Sequence, residues 1–294
     1  MNIEGYIAAL EKAGVCFKQN ESLATHTSYG VGGNAAVMVF PENCEQIKTA
    51  AVLAEEFGVA RVALGKGTNV LCSDGGFCGA VINVKRASDV KVSGVSIIAE
   101  CGASLSRVRE LAELNCLGGL EFSEGIPASI GGAICMNAGC YLKSVGDKVA
   151  YVVTDKGVYN RAACEFDYRK SRFISSGEII LKVCFLLKPG ETDIIESKKE
   201  KYRRMRKNSQ PHGKSCGSVF VNDGYFAGKL IDAAGLKGYR IGGARVSEKH
   251  ANFIINDGNR AQDIYDLIKF IKERVFALNG VKLKEEIKYI GDFK

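Results

Sequence analysis

Ser218 is the first of three places in the chain where a side chain could handle a proton or a charge. It follows a glycine and begins a short apolar run that is typical of a strand. Its hydroxyl could donate a proton, although a serine in such a turn often caps its own backbone instead. No Gly-x-Ser-x-Gly elbow surrounds Ser218, so the sequence does not predict a hydrolase nucleophile there.

The second place is the segment 167–173, Asp-Tyr-Arg-Lys-Ser-Arg-Phe, which gathers three cations and a hydroxyl between two predicted strands. A planar guanidinium such as that of Arg169 can hold a carboxylate or a phosphate through two parallel hydrogen bonds. Charged side chains that are simply solvated at the surface are the alternative interpretation of this segment.

The third place is a pair of adjacent carboxylates near the C-terminus, Glu285 and Glu286. They lie in the run 283–290, whose alternation of apolar and polar residues predicts a strand. Because neighbouring side chains of a strand point to opposite faces, only one of the two glutamates can reach a site. Glu285 shares its parity with Leu283 and Ile287, so periodicity alone leaves Glu286 facing solvent.

Three glycine-rich segments could position a ligand for such groups: 27–34, 64–70 and 124–139. In the second, an apolar strand-like run is followed by Gly-Lys-Gly and then by Thr68 and Asn69. This order is typical of a loop whose backbone N–H groups cradle a phosphate. Gly-Lys-Gly alone could be an ordinary turn. The three segments together favour a large ligand that carries phosphates.

The spacing of these glycines fits neither familiar nucleotide-binding signature. The segment 65–70 has no third glycine for a dinucleotide-binding Rossmann turn, and the chain contains no Gly-x-x-x-x-Gly-Lys-Ser/Thr. The sequence therefore predicts a different phosphate-binding architecture.

The composition is that of a soluble globular protein, with 294 residues of which 46% are apolar and 25% charged. No apolar run approaches the length of a bilayer span, and the N-terminus does not resemble a signal peptide, so we expect a cytoplasmic protein without membrane contact. The eleven cysteines form no Cys-x-x-Cys pair, and there are only three histidines. We therefore expect no metal site and mostly reduced core cysteines.

The formal charge of +7 suits an anionic partner, and the densest basic run is 198–207. A nucleic acid is one candidate, but the run contains only one aromatic residue, Tyr202, for stacking with bases. A solvated helix face is the usual explanation of such a run. We favour the interpretation that these cations steer a small anionic substrate toward the protein. We therefore expect no nucleic-acid partner.

Periodicity predicts a mixture of helices and strands, and so an α+β or α/β fold. The predicted helices are 43–57, 104–116 with Ser104 as N-cap, and 261–278 with Gly280 just past its end. The predicted strands are 59–64, 80–84, 95–100, a hairpin over 151–159, and 179–187. The turn-forming segment 188–193 predicts a domain boundary nearby.

Four motifs, in one order, resemble those of the UDP-N-acetylenolpyruvoylglucosamine reductase family. They are Gly65-Lys66-Gly67-Thr68-Asn69, the segment 125–139, Tyr168-Arg169-Lys170-Ser171-Arg172-Phe173, and Gly217-Ser218-Val219-Phe220. The similarity continues through residues 227–238 and 242–254, and so covers nearly the whole chain.

The resemblance implies an α+β fold made of a two-part FAD-binding domain of the vanillyl-alcohol-oxidase (PCMH) type, over 1–195, and a C-terminal α/β substrate-binding domain, over 196–294, whose last strand returns toward the FAD site. It implies non-covalent FAD, reduction by NADPH, and reduction of UDP-N-acetylglucosamine enolpyruvate to UDP-N-acetylmuramate for peptidoglycan. We expect a monomer.

The resemblance also implies roles for individual residues. Ser218 matches the proton donor, and Arg169 and Glu286 match the groups that stabilise the charged intermediate, which overrides the periodicity argument about Glu286. The residues expected to bind FAD are Gly65, Lys66, Gly67, Thr68, Asn69, Gly125, Ser129, Gly131 and Gly132. Those expected to bind substrate are Tyr168, Asn222, Lys249 and His250.

The chain departs from the family pattern in several places. The C-terminal motif reads Leu-Lys-Glu-Glu-Ile-Lys over 283–288, Asn222 is followed by aspartate rather than proline, and Leu142 replaces a glycine. The short segment between Arg169 and Ser218 resembles the family branch without an extra substrate-closing loop. The alternatives are another FAD oxidoreductase of the same superfamily and a non-enzymatic protein that binds nucleotides or nucleic acid.

Overall fold

A computed structural model describes all residues from Met1 to Lys294. The chain forms two compact units, each assembled from three stretches of sequence. Unit 1 comprises Met1–Lys18, Met38–Lys66 and Ala80–Arg206, and unit 2 comprises Gln19–Val37, Gly67–Gly79 and Lys207–Lys294.

Helices and strands are both distributed along the whole chain. The α-helices are α1 (Ile3–Lys12), α2 (Cys44–Glu56), α3 (Leu105–Leu114), α4 (Ile130–Cys135), α5 (Thr192–Ser209), α6 (Ala227–Ala233) and α7 (Ala261–Asn279). The strands are β1 (Phe17–Ser22), β2 (Asn34–Val39), β3 (Arg61–Leu64), β4 (Val70–Cys72), β5 (Phe77–Asn83), β6 (Val90–Ser93), β7 (Ser96–Glu100), β8 (Leu117–Gly118), β9 (Gly139–Cys140), β10 (Lys143–Ser144), β11 (Val149–Thr154), β12 (Val158–Asn160), β13 (Ile180–Leu186), β14 (Lys188–Pro189), β15 (Arg240–Ile241), β16 (Ala244–Val246), β17 (Ile254–Asn256) and β18 (Lys288–Ile290).

The main sheet of unit 1 is antiparallel, with the strand order β12-β11-β13-β7-β6. The predicted hairpin over 151–159 corresponds to β11 and β12. In the same unit, β3 lies parallel to the part of β5 from Ala80 to Asn83. Helices α2 and α3 begin where their capping residues predict, because Asn43 accepts a hydrogen bond from the Gln46 amide at 3.0 Å and Ser104 accepts one from the Arg107 amide at 3.2 Å.

Unit 2 is organised around α7, the helix with the clearest apolar period in the sequence. All five residues predicted for its inner face are buried: Ile264, Leu267, Ile268, Ile271 and Val275. Gly280 ends the helix in the left-handed conformation, with φ of 68°. An antiparallel sheet of order β15-β16-β17 and the parallel pair β18-β4 complete this unit.

The strand predicted over 283–290 is wrong in length, because regular pairing begins only at Lys288. The segment changes its partner along the way. The Val221 amide donates to the Lys284 carbonyl at 3.0 Å, but the Lys288 amide already donates to the Asn69 carbonyl at 3.0 Å. The predicted alternation is confirmed at Leu283 and Ile287, which are both buried.

The two compact units are defined by which residues pack together, and they carry no information about ligands. The predicted division at residue 195 into a cofactor domain and a substrate domain therefore stays a prediction. The last strand, β18, pairs with β4, which directly follows the glycine segment 65–69. None of the helices has both the length and the apolar character that crossing a membrane requires.

Candidate active site

Gly65 and Ser129, which lie in separate glycine-rich segments, are in close contact in unit 1. A Cβ atom on residue 65 would overlap the Ser129 hydroxyl. Ser129 is buried, and its hydroxyl accepts a hydrogen bond from the Gly132 amide at 3.4 Å, so it caps the first turn of α4. The two segments therefore form one surface made largely of backbone.

The first turn of α4 is tied to the preceding chain by its backbone. The Ile130 amide donates to the Ala103 carbonyl, and the Gly131 amide donates to the Cys101 carbonyl, both at 2.8 Å. A Cβ on residue 131 would lie 3.1 Å from the Cβ of Cys101, which leaves little room for a side chain. The conformation of this turn is thus set by the chain itself.

Lys66, which follows Gly65, lies close enough to a second lysine, Lys85, for their charges to interact. Burial lowers the pKa of Lys85, and the neighbouring Lys66 cation lowers it further. Two ammonium groups that repel each other gain from an anion placed between or beside them. This part of unit 1 therefore suits a phosphate-bearing ligand.

Gly67 and Asn69 continue the same sequence segment in unit 2. Gly67 has φ of 66°, and a Cβ there would overlap the His26 carbonyl oxygen. Its own carbonyl accepts a hydrogen bond from the Ser28 amide at 2.9 Å. The glycine-rich segment 27–34 therefore lies against 67–69, as the combined phosphate-binding hypothesis requires. Gly65 and Gly67 each meet a close contact within their own unit, with the Ser129 side chain and with the His26 carbonyl, and loops without side chains at these positions fit the predicted FAD.

Arg169 occupies the third position of a tight turn in unit 1. The Asp167 amide donates to the Lys170 carbonyl at 3.1 Å, and the Lys170 amide donates back to the Asp167 carbonyl at 3.0 Å. Arg169 has φ of 53°, a conformation that non-glycine residues seldom adopt. Its guanidinium carbon lies 5.3 Å from the centre of the Tyr168 ring, and 54% of Tyr168 is exposed. The turn thus presents an arginine and an accessible aromatic ring together.

A second arginine, Arg206, lies near the Arg169 turn. Its guanidinium donates to the Glu124 carbonyl at 2.8 Å and to the Cys140 sulfur at 3.3 Å. Burial raises the pKa of Cys140, while the charges of Arg206 and Arg169 oppose that rise. This end of unit 1 is therefore electropositive, which suits an anionic substrate.

The basic run 198–207 forms part of α5, and four of its seven cations contact other groups of unit 1. These contacts are Lys199 with Glu113 at 3.1 Å, Arg203 with Glu124 at 3.2 Å, Arg204 with Glu200 at 3.3 Å, and Arg206 with the Glu124 carbonyl. Glu124 also pairs with the buried Arg109 at 2.7 Å. These contacts favour a helix anchored beside Gly125 over a row of cations presented to a nucleic acid.

Ser218 begins a segment of unit 2 that is held on both sides. On one side, Ser218 forms a β-bridge with Phe253, and the Val219 amide donates to the Asn252 carbonyl at 2.9 Å. On the other side, the Glu286 amide donates to the Val219 carbonyl at 2.7 Å. The Asn69 side chain in turn donates to the Glu286 carbonyl at 3.2 Å. Unit 2 therefore brings together Asn69, Ser218 and Glu286.

The two adjacent glutamates have different surroundings. The Glu285 carboxylate pairs with the Lys272 ammonium at 2.5 Å. Glu286 is half-buried, which differs from the solvent-facing position that periodicity alone favoured. Glu285 pairs with α7, whereas the backbone of Glu286 is hydrogen-bonded to the Ser218 segment, so Glu286 is the better candidate for a site.

The residues expected to bind substrate in unit 2 have structural contacts of their own. The Asn222 side-chain oxygen accepts a hydrogen bond from the Ala227 amide at 3.0 Å, and Lys249 donates to the Lys207 carbonyl at 2.7 Å. The His250 Nδ1 accepts from the Asn252 amide at 3.2 Å, which leaves the proton of the neutral ring on Nε2. Burial lowers the pKa of His250, and the Lys237 charge adds to this effect.

Sequence reasoning missed several residues that hold the candidate groups in place. Asn252 is buried, and its side chain exchanges hydrogen bonds of 2.9 and 2.8 Å with both backbone groups of Phe220. Asn137 makes a comparable contact with the Arg169 turn. Both asparagines lie inside the quoted motifs, but nothing in their spacing indicates which backbone groups they bind.

Comparisons with known proteins agree with the motifs. The models of the UDP-N-acetylenolpyruvoylglucosamine reductase C-terminal domain and of an FAD binding domain match residues 209–290 and 35–157. UDP-N-acetylenolpyruvoylglucosamine reductase 2 of Bacillus cereus is 41% identical, over 94% of this chain and 93% of the relative. The reductase of Caldicellulosiruptor bescii is 39% identical, over 97% and 94%. The crystal structure of the UDP-N-acetylenolpyruvylglucosamine reductase from Thermus caldophilus is similar, with a TM-score of 0.79 and 32% identity over 94% of this chain and 99% of that one. The predicted family and fold class are confirmed.

The Gly65 contact yields a test of the cofactor segment. We expect Gly65→Ala to lower the melting temperature, because the added Cβ forces the two segments apart at a cost of about 1–3 kcal/mol. The protein should also retain less FAD, measured as the ratio of visible to ultraviolet absorbance. The double variant Gly65→Ala/Ser129→Gly removes the overlapping atoms and should regain part of both properties. A Gly65→Ala protein with normal stability and full flavin content would contradict this account.

Proposed function

Because the chain belongs to the UDP-N-acetylenolpyruvoylglucosamine reductase family, we propose that Ser218, Arg169 and Glu286 carry out its reaction. The enzyme uses FAD and NADPH to reduce the enolpyruvyl group of UDP-N-acetylglucosamine enolpyruvate, which gives UDP-N-acetylmuramate for peptidoglycan. The observation that best supports the assignment is the meeting of Ser218 and Glu286 in unit 2 through the hydrogen bond between Glu286 and Val219.

The reaction needs groups that manage charge and protons. FAD, held by the glycine-rich segments, would supply to one vinyl carbon of the substrate the hydride that NADPH provides. Negative charge then develops next to the substrate carboxylate. We propose that Arg169 and Glu286 stabilise this charge, since fixed polar groups lower the barrier most where charge develops. Ser218 donates a proton to the other vinyl carbon.

The tight surroundings of Ser218 support its proposed role. A hydroxyl that must deliver a proton to one carbon needs a fixed position more than it needs mobility. The neighbouring Val219 and Phe220 are buried and hydrogen-bonded to residues on both sides of the segment. The Ser218 backbone is therefore set before any substrate arrives.

We extend the proposal to the ligand-binding residues. For FAD they are Gly65, Lys66, Gly67, Thr68, Asn69, Gly125, Ser129, Gly131 and Gly132, supported by the close contacts of Gly65 with Ser129 and of Gly67 with the His26 carbonyl. For substrate they are Tyr168, Asn222, Lys249 and His250. The division into a cofactor domain over 1–195 and a substrate domain over 196–294, action in the cytoplasm, and a monomeric state are further parts of this proposal.

The function can be tested by recording the visible spectrum of the purified protein. We expect a flavin spectrum that bleaches with anaerobic NADPH and returns when UDP-N-acetylglucosamine enolpyruvate is added. Bleaching without recovery would indicate another oxidoreductase of the same superfamily. A colourless protein that cannot be reconstituted with FAD would contradict the proposal.

The role of Ser218 predicts that the two half-reactions separate. In Ser218→Ala we expect normal FAD content and normal bleaching by NADPH, because the hydroxyl acts on the enolpyruvyl substrate, which takes no part in the reduction of the flavin by NADPH. Reoxidation by the enolpyruvyl substrate should slow by about 100- to 10,000-fold, as for loss of a general acid. Rapid mixing with each substrate separately measures both rates. Unimpaired reoxidation would remove Ser218 from its role.

The adjacent glutamates offer a matched pair of variants. We expect Glu286→Gln to slow reoxidation by the enolpyruvyl substrate by about 100- to 1,000-fold, since the carboxyl group that we propose contacts the developing intermediate is replaced by an amide. Glu285→Gln breaks the Lys272 pair instead, so it should lower the melting temperature slightly and leave turnover unchanged. If Glu285→Gln slowed reoxidation and Glu286→Gln did not, Glu285 and not Glu286 would be the carboxylate that acts on the substrate.

A further inference from the structure

The turn that carries Arg169 is tied at both ends to a single short stretch of unit 1. At its start, the Asn137 side-chain NH₂ donates to the Asp167 carbonyl at 2.8 Å. At its end, the Ser171 hydroxyl donates to the Cys135 carbonyl at 2.6 Å. Cys135 is the last residue of α4, and Asn137 follows it by two positions. Both ends of the Arg169 turn are therefore hydrogen-bonded to the C-terminal end of α4 or to the residues just after it.

Both tethering side chains are almost completely buried, with Asn137 and Ser171 each 4% exposed. Asn137 is also fixed from its other side, because its Oδ1 accepts a hydrogen bond from the Gly146 amide at 3.0 Å. Its amide thus bridges two separate backbone segments. In a buried setting these hydrogen bonds have no competing water, so their geometry is well defined.

The tethers also maintain an unusual backbone conformation. Arg169 has φ of 53° and Asn137 has φ of 41°, both in the left-handed region. An arginine seldom adopts this conformation, and here the hydrogen bonds between Asp167 and Lys170 within the turn favour it. The hydrogen bonds from Asn137 and Ser171 fasten the two ends of the turn and so help to hold it.

We infer that Asn137 and Ser171 are positioning residues for the reduction step, which act by holding Arg169 in the orientation needed to stabilise charge on the substrate. This inference rests on the proposed role of Arg169. Helix α4 carries the candidate FAD residues Gly131 and Gly132 at its N-terminal end and contacts the Arg169 turn at its C-terminal end. Within unit 1, α4 therefore links the candidate cofactor residues to the candidate substrate arginine.

The inference predicts an effect confined to one half-reaction. Asn137→Ala should retain FAD and be bleached by NADPH at a rate within about twofold of the unchanged enzyme, because the Arg169 guanidinium is needed for the substrate carboxylate. Reoxidation by UDP-N-acetylglucosamine enolpyruvate should slow by about 10- to 100-fold, as expected when a catalytic group is displaced by about an ångström. Ser171→Ala, the smaller change, should slow the same step to a lesser degree.

A double-mutant cycle with Arg169→Ala distinguishes positioning from a general loss of structure. If Asn137 acts through Arg169, adding Asn137→Ala to Arg169→Ala should slow reoxidation no further. A merely structural role would make the two losses multiply. The control is Tyr6→Phe, which removes another buried hydrogen bond of unit 1, from the Tyr6 hydroxyl to the Ala50 carbonyl at 3.2 Å, and should leave both half-reactions unchanged.

The outcomes also separate this inference from the proposed function. If the unchanged enzyme is not reoxidised by the enolpyruvyl substrate, or if Arg169→Ala is as fast as the unchanged enzyme, the proposed function itself fails. If Arg169→Ala slows reoxidation but Asn137→Ala and Ser171→Ala do not, only the positioning inference is overturned. It is likewise overturned if Asn137→Ala slows both half-reactions equally.

Discussion

The close contact between Gly65 and Ser129 is the constraint around which the cofactor segment of unit 1 is built. Since no Cβ fits at residue 65, the loop after β3 can lie directly against the capped first turn of α4. The backbone bonds from Ile130 and Gly131 to the preceding chain then fix the direction of that turn. A side chain at position 65 would overlap Ser129 and separate the two segments.

The charged residues of unit 1 extend this framework to α5. Arg109 is buried and pairs with Glu124, which also binds Arg203, so the residue before Gly125 is held from two helices. Removing one partner of such a pair leaves an uncompensated buried charge and costs about 3–5 kcal/mol. The basic helix is thus ordered by its contacts with α3 and with the glycine segment. Its exposed cations add a positive field that favours approach of an anionic nucleotide sugar.

Sequence patterns predicted most of the fold because they report local physics. The apolar period of α7, its glycine stop, and the capping residues Asn43 and Ser104 all act within a few residues of their position, and the structure confirms each of them. The strand near the C-terminus was misjudged in length because its pairing depends on distant partners. Alternation alone cannot show that the chain leaves residues 219–221 and joins Asn69 and β4. Likewise, the partners of Asn137 and Asn252 are backbone groups, which have no signature in a sequence.

The same distinction explains why the two glutamates needed the structure. Parity along a strand places Glu285 with the buried side chains, which suggested that Glu285 was the residue with a role inside the protein. It is indeed turned inward, but toward Lys272 on α7, where it serves unit 2 as half of an ion pair. Glu286 instead lies where its backbone joins the Ser218 segment to Asn69. The ion pair of Glu285 and the backbone position of Glu286 therefore distinguish two carboxylates that are adjacent in the sequence.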